Sequence, residues 1–303
     1  MYRIAVVTPC PERDWASQEL LDAANELAQG MAIDPITFEM RSDGPPYLTV
    51  HDEPADIYDA YIPRGFNRQG EIDYQYEIFE LLQQQGRLVI NSPASISIAE
   101  SKAQTTFLLR EAGLPVPRTL VTQDLERAIA TVDEYRMAVV KPLYGSYGLG
   151  IERLTAEVSD EILPDFMDRH RVIYVQEYVP NDGRDIRAFV VGDEIPAAMY
   201  RIARDGEWRT NVHQGSRCEA CELTPAIREM CLAAARVAGL DYTGVDVMEG
   251  PDGPVILELN GTPSWHGLSE ATDRNMASDV VGYVLQMLET GRFARQPAGF
   301  RPE

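Results

Sequence analysis

Lysine is almost absent from this 303-residue chain. Only Lys102 and Lys141 stand among its 27 basic residues, and the other 25 are arginine. Cysteine is scarce too. Cys10, Cys218, Cys221 and Cys231 make no disulfide framework in a chain of this length and fit a reducing cytoplasm better. Cys218 and Cys221 form a C-x-x-C, but no second pair and no histidine pair completes a zinc site. No apolar run approaches the length of a membrane span. Met1 to Cys10 lacks the basic start and long apolar stretch of a signal peptide, so a cytoplasmic location is expected. Positive charge is short overall. A formal net charge of -21 argues against nucleic acid or an anionic membrane as partner. Acid excess with so little lysine suits a salt-rich cytoplasm, and genome composition would account for it as well.

What is present is ordinary globular material, 45% hydrophobic and long enough for two or three compact units. One of the two lysines opens the stretch VVKPLYGSYGLGI, Val139 to Ile151. Gly145, Gly148 and Gly150, with Ser146 between them, allow backbone N–H groups to approach phosphate oxygens, and Lys141 adds a compact charge. The spacing is neither the P-loop pattern nor the dinucleotide fingerprint, and Ile151 resumes an extended pattern. A glycine flap over a nucleotide and a plain hairpin turn both suit it. We read both lysines as phosphate ligands.

Taken in order, Tyr2–Thr8 reads as a buried parallel strand and Trp15–Gln29 as a helix capped by Gly30. Strands are expected at Ile36–Met40, Ile57–Ile62 and Leu88–Ile90, with a helix over Tyr74–Gln85. Arg64 follows a strand end, where ligands of open α/β sheets lie. Residues 1–93 thus form an α/β layer. Residues 94–180 form an α+β unit with one helix over Ser97–Ala112, which carries Lys102, and strands on either side of the flap. Residues 181–303 form a second α+β unit with a hairpin over Asp185–Ala203, a helix over Thr224–Ala238 and paired strands Tyr242–Met248 and Val255–Asn260.

Two strand ends in this last unit carry acids. Glu258 and Asn260 share one strand face, and Asp246 lies on the neighbouring strand. Two carboxylates and an amide oxygen suit a hard cation that bridges substrate phosphates. Asp185 and Arg187 share a face of the hairpin, with Arg201 on the returning strand and Arg209 in a later loop. Such arginines can hold a carboxylate or a transferring phosphoryl group.

In order and spacing, Lys102, the Lys141 flap, QEYV, DIRAFVV, RTNVHQG, GVDV and LELNGTP resemble the RimK-like α-L-glutamate ligases of the ATP-grasp superfamily. The resemblance implies an ATP-grasp fold, in which an N-terminal α/β domain precedes two α+β subdomains that clamp ATP. It implies that Lys102 and Lys141 hold phosphates, and that Gln176, Glu177, Tyr178 and Val179 form the adenine hinge. Asp185 would meet the ribose, with Arg209, Thr210 and Asn211 on the nucleotide or acceptor. Asp246, Glu258 and Asn260 would bind two Mg²⁺ or Mn²⁺ ions, and Arg187 and Arg201 would steady an acyl phosphate. The implied reaction joins L-glutamate to an acceptor carboxylate. AAMYRI and NGTPSWHGLSEAT lean toward the branch with a small tetrahydromethanopterin-like acceptor, with Tyr200, Trp208 and Trp265 as candidates to line its pocket. A deazaflavin coenzyme and a ribosomal or carrier protein C-terminus stay open as acceptors, as does a homo-oligomer. A catalytically silent nucleotide-binding module is the alternative of another class.

Overall fold

In β1 (Arg3–Val7), Ile4 and Val6 point into one core while Ala5 and Val7 point into another. Burial on both faces is why the run is apolar without a break. The computed structural model describes residues 1–145, 150–210 and 215–298. Helix α1 (Trp15–Leu27) turns Ala16, Leu20, Ala23 and Ala24 onto the first core, the spacing of a single helical face. The helix stops short of the expected Gln29, and β2 (Gln29–Ile33) pairs parallel with β1. Gly30 is therefore not a cap. A Cβ there would come 2.9 Å from Ala24 Cβ, so its smallness serves helix–strand approach.

Strands β3 (Phe38–Met40), β4 (Leu48–Val50) and β5 (Glu53–Pro54) make a small antiparallel sheet. β6 (Ala60–Pro63) and β7 (Leu88–Val89) complete a parallel sheet of order β2-β1-β6-β7, with α2 (Ile72–Gln84) between them in sequence.

The single helix expected over Ser97–Ala112 is two, α3 (Pro93–Glu100) and α4 (Lys102–Glu111). Ser101 between them is extended, and its hydroxyl accepts from the Gln104 N–H at 3.4 Å. A polar N-cap in place of another helical residue makes Lys102 the first residue of a helix. Next come β8 (Thr119–Thr122), α5 (Leu125–Tyr135), β9 (Met137–Lys141), β10 (Glu152–Thr155), α6 (Ser159–His170) and β11 (Ile173–Glu177). They form an antiparallel sheet of order β10-β9-β11-β8. Ala138, Val140, Leu154, Ile173 and Val175 bury one face against α5 and α6. By alternation Val139 and Lys141 take the other face, with Gln176 and Tyr174 as their register partners on β11.

The last part contains β12 (Arg184–Val191), β13 (Glu194–Ile202), β14 (Arg217–Ala220), α7 (Pro225–Val237), β15 (Tyr242–Gly250), β16 (Gly253–Asn260), α8 (His266–Thr272) and α9 (Met276–Thr290). Its antiparallel sheet runs β14-β13-β12-β15-β16. Ile186, Ala188, Val190, Val245 and Val247 face α7 in a core that also takes Ala99 and Leu109 from α3 and α4. Phe189 and Met199, on the opposite face, share the first core with α1, β1, α8 and α9. Among the described residues no helix is long and apolar enough to cross a membrane.

Asn91, just past β7, ties the two halves of that shared core together. Its amide nitrogen donates to the carbonyls of Tyr242 (2.8 Å) and Gly261 (2.7 Å), and its oxygen accepts from the N–H groups of Asp241 (2.7 Å) and Tyr242 (3.1 Å). Asn91 is fully buried, so Asn91→Ala would orphan four backbone groups. A loss of about 3–5 kcal/mol is expected, read as a drop in the urea midpoint. A midpoint within experimental error of wild type would show that water replaces the amide.

Candidate active site

The lid sheet turns its Val139–Lys141 face toward the five-stranded sheet, and the cleft between them gathers most of the residues that sequence marked. Lys141, Gln176, Glu177, Tyr178, Val179, Asp185, Arg201, Arg209, Thr210, Asp246 and Glu258 all line it. Ser146, Gly148 and Asn211 lie outside the described residues.

Both lysines reach the base of the flap. Lys141 Nζ donates to Gln176 Oε1 at 2.8 Å, and Lys102 Nζ donates to the Gly145 carbonyl at 2.8 Å. Burial pushes the Lys141 ammonium down to about 8, while Glu258 and Asp246 pull it back up and Lys102 adds to the depression. Gly145 (φ +142°) and Gly150 (φ +70°) frame the flap in backbone conformations that other residues rarely adopt.

Across the cleft, strand register assembles the charged row. Asp246 on β15 is partnered by Arg187 on β12 and by Glu258 on β16, while Asp185 faces Arg201 across β12 and β13. Arg187 donates through Nε and Nη2 (the latter at 3.0 Å) to the two oxygens of Asp246. Arg201 forks onto Asp185 at 2.8 and 2.5 Å and also approaches Asp246 at 2.9 Å. Thr210 Oγ1 donates to Asp185 Oδ2 at 2.7 Å. Burial pushes the Asp246 carboxyl up, but Arg187 and Arg201 outweigh it and hold the group below the ordinary range. Burial likewise raises Asp185, which shares Arg201 and is left with the higher pKa of the two acids.

Asn260 donates its amide to the Gly244 carbonyl at 3.3 Å, which turns its oxygen away from that bond. A break in register after Asp246 makes Leu257 a bulge, so that Leu257 and Glu258 both line the cleft. Among the described residues no group of three His, Cys, Asp or Glu gathers, so the available hard donors are two carboxylates and one amide oxygen.

The hinge is more restricted than its sequence suggests. The N–H groups of Glu177 and Tyr178 already donate to the carbonyls of Arg118 (2.9 Å) and Met137 (3.0 Å). An adenine edge would therefore meet the hinge carbonyls and Val179. Sequence reasoning missed the apolar walls, which are Val139 and Ile151 on the lid against Met248 and Leu257 opposite. Met248 was within reach, since it lies two residues from Asp246 on the same strand face; the Leu257 bulge carries no sequence signal.

The three aromatics proposed for an acceptor pocket separate. Tyr200 pairs with Ile186, on the sheet face opposite Arg187 and Arg201, and stacks under Arg184 at 4.1 Å. Trp265 is 1% exposed, packs edge-on against Phe189 at 5.5 Å and lies under the Arg64 guanidinium at 5.3 Å, so it belongs to the core. Trp208 does line the cleft, but at the hinge end beside Tyr178 (6.5 Å), with the Arg153 guanidinium 5.4 Å from both rings. Arg209 is held by Glu207, at 3.2 Å through Nε and 3.1 Å through Nη2. Arg64 is buried too, and donates to the Pro263 carbonyl at 2.8 Å in the loop after Asn260. The C-x-x-C cysteines diverge: Cys218 packs on one core and Cys221 on the other, and both are free thiols.

A flap-bearing lid sheet closed against an antiparallel sheet that carries acids on adjacent strands, Asp246 in the middle of β15 and Glu258 near the end of β16, defines an ATP-grasp ligase fold. The structure of the ATP-grasp ligase PsnB with minimal precursor, Mg and ADP matches at a TM-score of 0.76 and 21% identity, over 94% of this chain and 97% of that one. A RimK domain ATP-grasp protein from Sphaerobacter thermophilus matches at 0.70 and 20%, over 93% and 98%. The RimK-like ATP-grasp domain model matches residues 99–284, and the chain belongs to this family. Similar relatives include the tetrahydromethanopterin:α-L-glutamate ligase of Methanocaldococcus jannaschii, 41% identical over 67% of this chain and 72% of that protein. The ligase of the same name from Methanosarcina acetivorans is 31% identical over 95% of this chain and 100% of that protein.

Proposed function

We propose that the chain is an ATP-dependent carboxylate–amine ligase that joins L-glutamate to a small, tetrahydromethanopterin-like acceptor through an acyl phosphate. The observation that carries this reading is the convergence of the chain's two lysines at the flap base, opposite Asp246 and Glu258. The names of the relatives support glutamate and the pterin acceptor. Free thiols accord with a reducing cytoplasm.

The apolar walls would sandwich the base, and Lys102 and Lys141 would hold the phosphate chain. Two carboxylates and an amide oxygen on adjacent strands suit a hard cation, and Asp246, Glu258 and Asn260 would hold the Mg²⁺ or Mn²⁺ ions, two of them in our reading. Bound there, the ions would neutralise charge on the transferring phosphoryl group. The acceptor carboxylate attacks the γ-phosphorus, and ADP departs. Glutamate's uncharged amine then attacks the acyl carbon; the C–N bond forms as the C–O bond to phosphate breaks, and the nitrogen's surplus proton leaves with the departing phosphate. Arg187 and Arg201 would offset the anionic charge, and the closed flap would keep water from the acyl phosphate.

The test is incubation with MgATP, an amino-acid panel and candidate acceptors, with mass spectrometry of the product. Glutamate added to a pterin-linked carboxylate is the expected result. Addition only to a deazaflavin coenzyme or a protein C-terminus would remove the pterin assignment. Phosphate release without ligation to any acceptor would favour a regulatory module.

Trp208→Ala should raise the KM for ATP about tenfold and leave the KM for glutamate within about twofold, because the ring stands at the hinge end. The reverse pattern would move Trp208 to the acceptor side.

A further inference from the structure

The two arginines that hold Asp246 are not equivalent. Arg201 is fixed: its fork is taken by Asp185, which also binds Thr210, and its side chain is 5% exposed. The Arg187 side chain is 13% exposed, and Asp246 is the acid that its guanidinium grips. It lies against Gly244, where a Cβ would meet Nη1 at 2.8 Å. Any other residue at position 244 would push the guanidinium away.

Asp246 therefore has both oxygens engaged from the arginine side. Glu258, its partner across β15 and β16, makes no ion pair among the described residues. A divalent cation seated between these two carboxylates would place two positive charges within a few ångströms of a third. Like charges that close in a partly dehydrated cleft repel strongly, and the less anchored one yields.

We propose that Arg187 is a placeholder cation, which holds Asp246 until a divalent ion arrives and then passes to the anionic substrate side of the site. The proposal rests on the metal reading of Asp246 and Glu258 given above. It makes metal binding and anion binding mutually supportive, because each favours the released arginine. A permanent phosphate ligand would have no such dependence on the metal.

The two roles predict opposite signs in a measurement without turnover. Mn²⁺ binding to the full chain at saturating ADP can be followed by the electron paramagnetic resonance of the free ion, as the loss of signal beyond that caused by the same ADP without protein. Arg187→Gln removes the competing charge and should tighten Mn²⁺ about tenfold, whereas Arg187→Lys keeps the charge and should stay within about threefold of wild type. Unchanged or weaker Mn²⁺ binding by Arg187→Gln overturns the placeholder.

Wild-type protein supplies a second readout should the Gln variant fail to fold. Phenylglyoxal labelling of Arg187, mapped by peptide mass spectrometry, should rise at least about threefold when Mn²⁺ is added to the ADP-bound chain. A rate that does not rise also overturns the proposal. Wild-type protein that binds no Mn²⁺ with ADP would refute the metal reading itself, which separates the two failures.

Discussion

Glu258→Gln is expected to cut ligase turnover about 10²–10³-fold while leaving the thermal midpoint close to wild type. The substitution removes one anionic donor from the proposed cation site, a loss comparable to deleting a key electrostatic stabiliser. Among the described residues Glu258 makes no ion pair, and what the substitution takes away is its Coulombic pull on the buried Lys141 ammonium. The corresponding Asp246→Asn is a poorer probe. It would strip the counter-charge from Arg187 and Arg201, and breaking a buried pair from one side costs about 3–5 kcal/mol in its own right. A Glu258→Gln enzyme with normal turnover would end the metal assignment, whatever Asp246→Asn does.

Lys141 should impose a pH limit on ATP use. Burial holds its ammonium near 8 in the nucleotide-free protein, whereas phosphate oxygens favour the charged form. Below about pH 8 the site is ready. Above it, nucleotide binding must take up a proton, so kcat/KM for ATP should fall by up to tenfold per pH unit. Lys141→Arg stays charged and should show a flat but lower profile, because a planar fork does not reproduce a compact ammonium. An alkaline limb that survives in Lys141→Arg would place the titrating group elsewhere. Stability has its own sign. A folded pKa of about 8 against the ordinary 10.5 means that stability rises as pH climbs between those values, and that the charged lysine costs about 3 kcal/mol below them. Lys141→Met should therefore melt higher at pH 7 while losing ATP binding.

Much of this site was legible because strand alternation is rigid. Once Asp185 and Arg187 fall on one face, pairing brings Arg201 and Asp246 to that face as well. The same rule places Tyr200 on the other face, but only when the register is known, and register is a long-range property. Lysine scarcity singled out Lys102 and Lys141 before any fold was in view. What stayed hidden depended on local irregularity or on distant packing. Ser101 breaks a helix with a hydroxyl that sequence reads as one more polar residue. Strand β14 is four residues of edge with Arg217 and Glu219 exposed, so it carries no apolar rhythm. Trp265 looks like a loop aromatic until Arg64 and Phe189, remote in sequence, close over it.

The separate core of the lid has a mechanical consequence. Ala138, Val140, Leu154, Ile173 and Val175 seal against α5 and α6, so swinging residues 119–177 outward would bare almost none of that oil to water. The parallel sheet and the five-stranded sheet share a core, and α3 and α4 are sunk into the latter's other face, so these parts travel together. Lys102 rides on the heavy body and Lys141 on the light one. A phosphate chain gripped by both would act as a strut across the joint, with the Lys102–Gly145 hydrogen bond as its temporary stand-in. The joint would then loosen once the γ-phosphoryl group has left the strut and ADP alone remains in the lid.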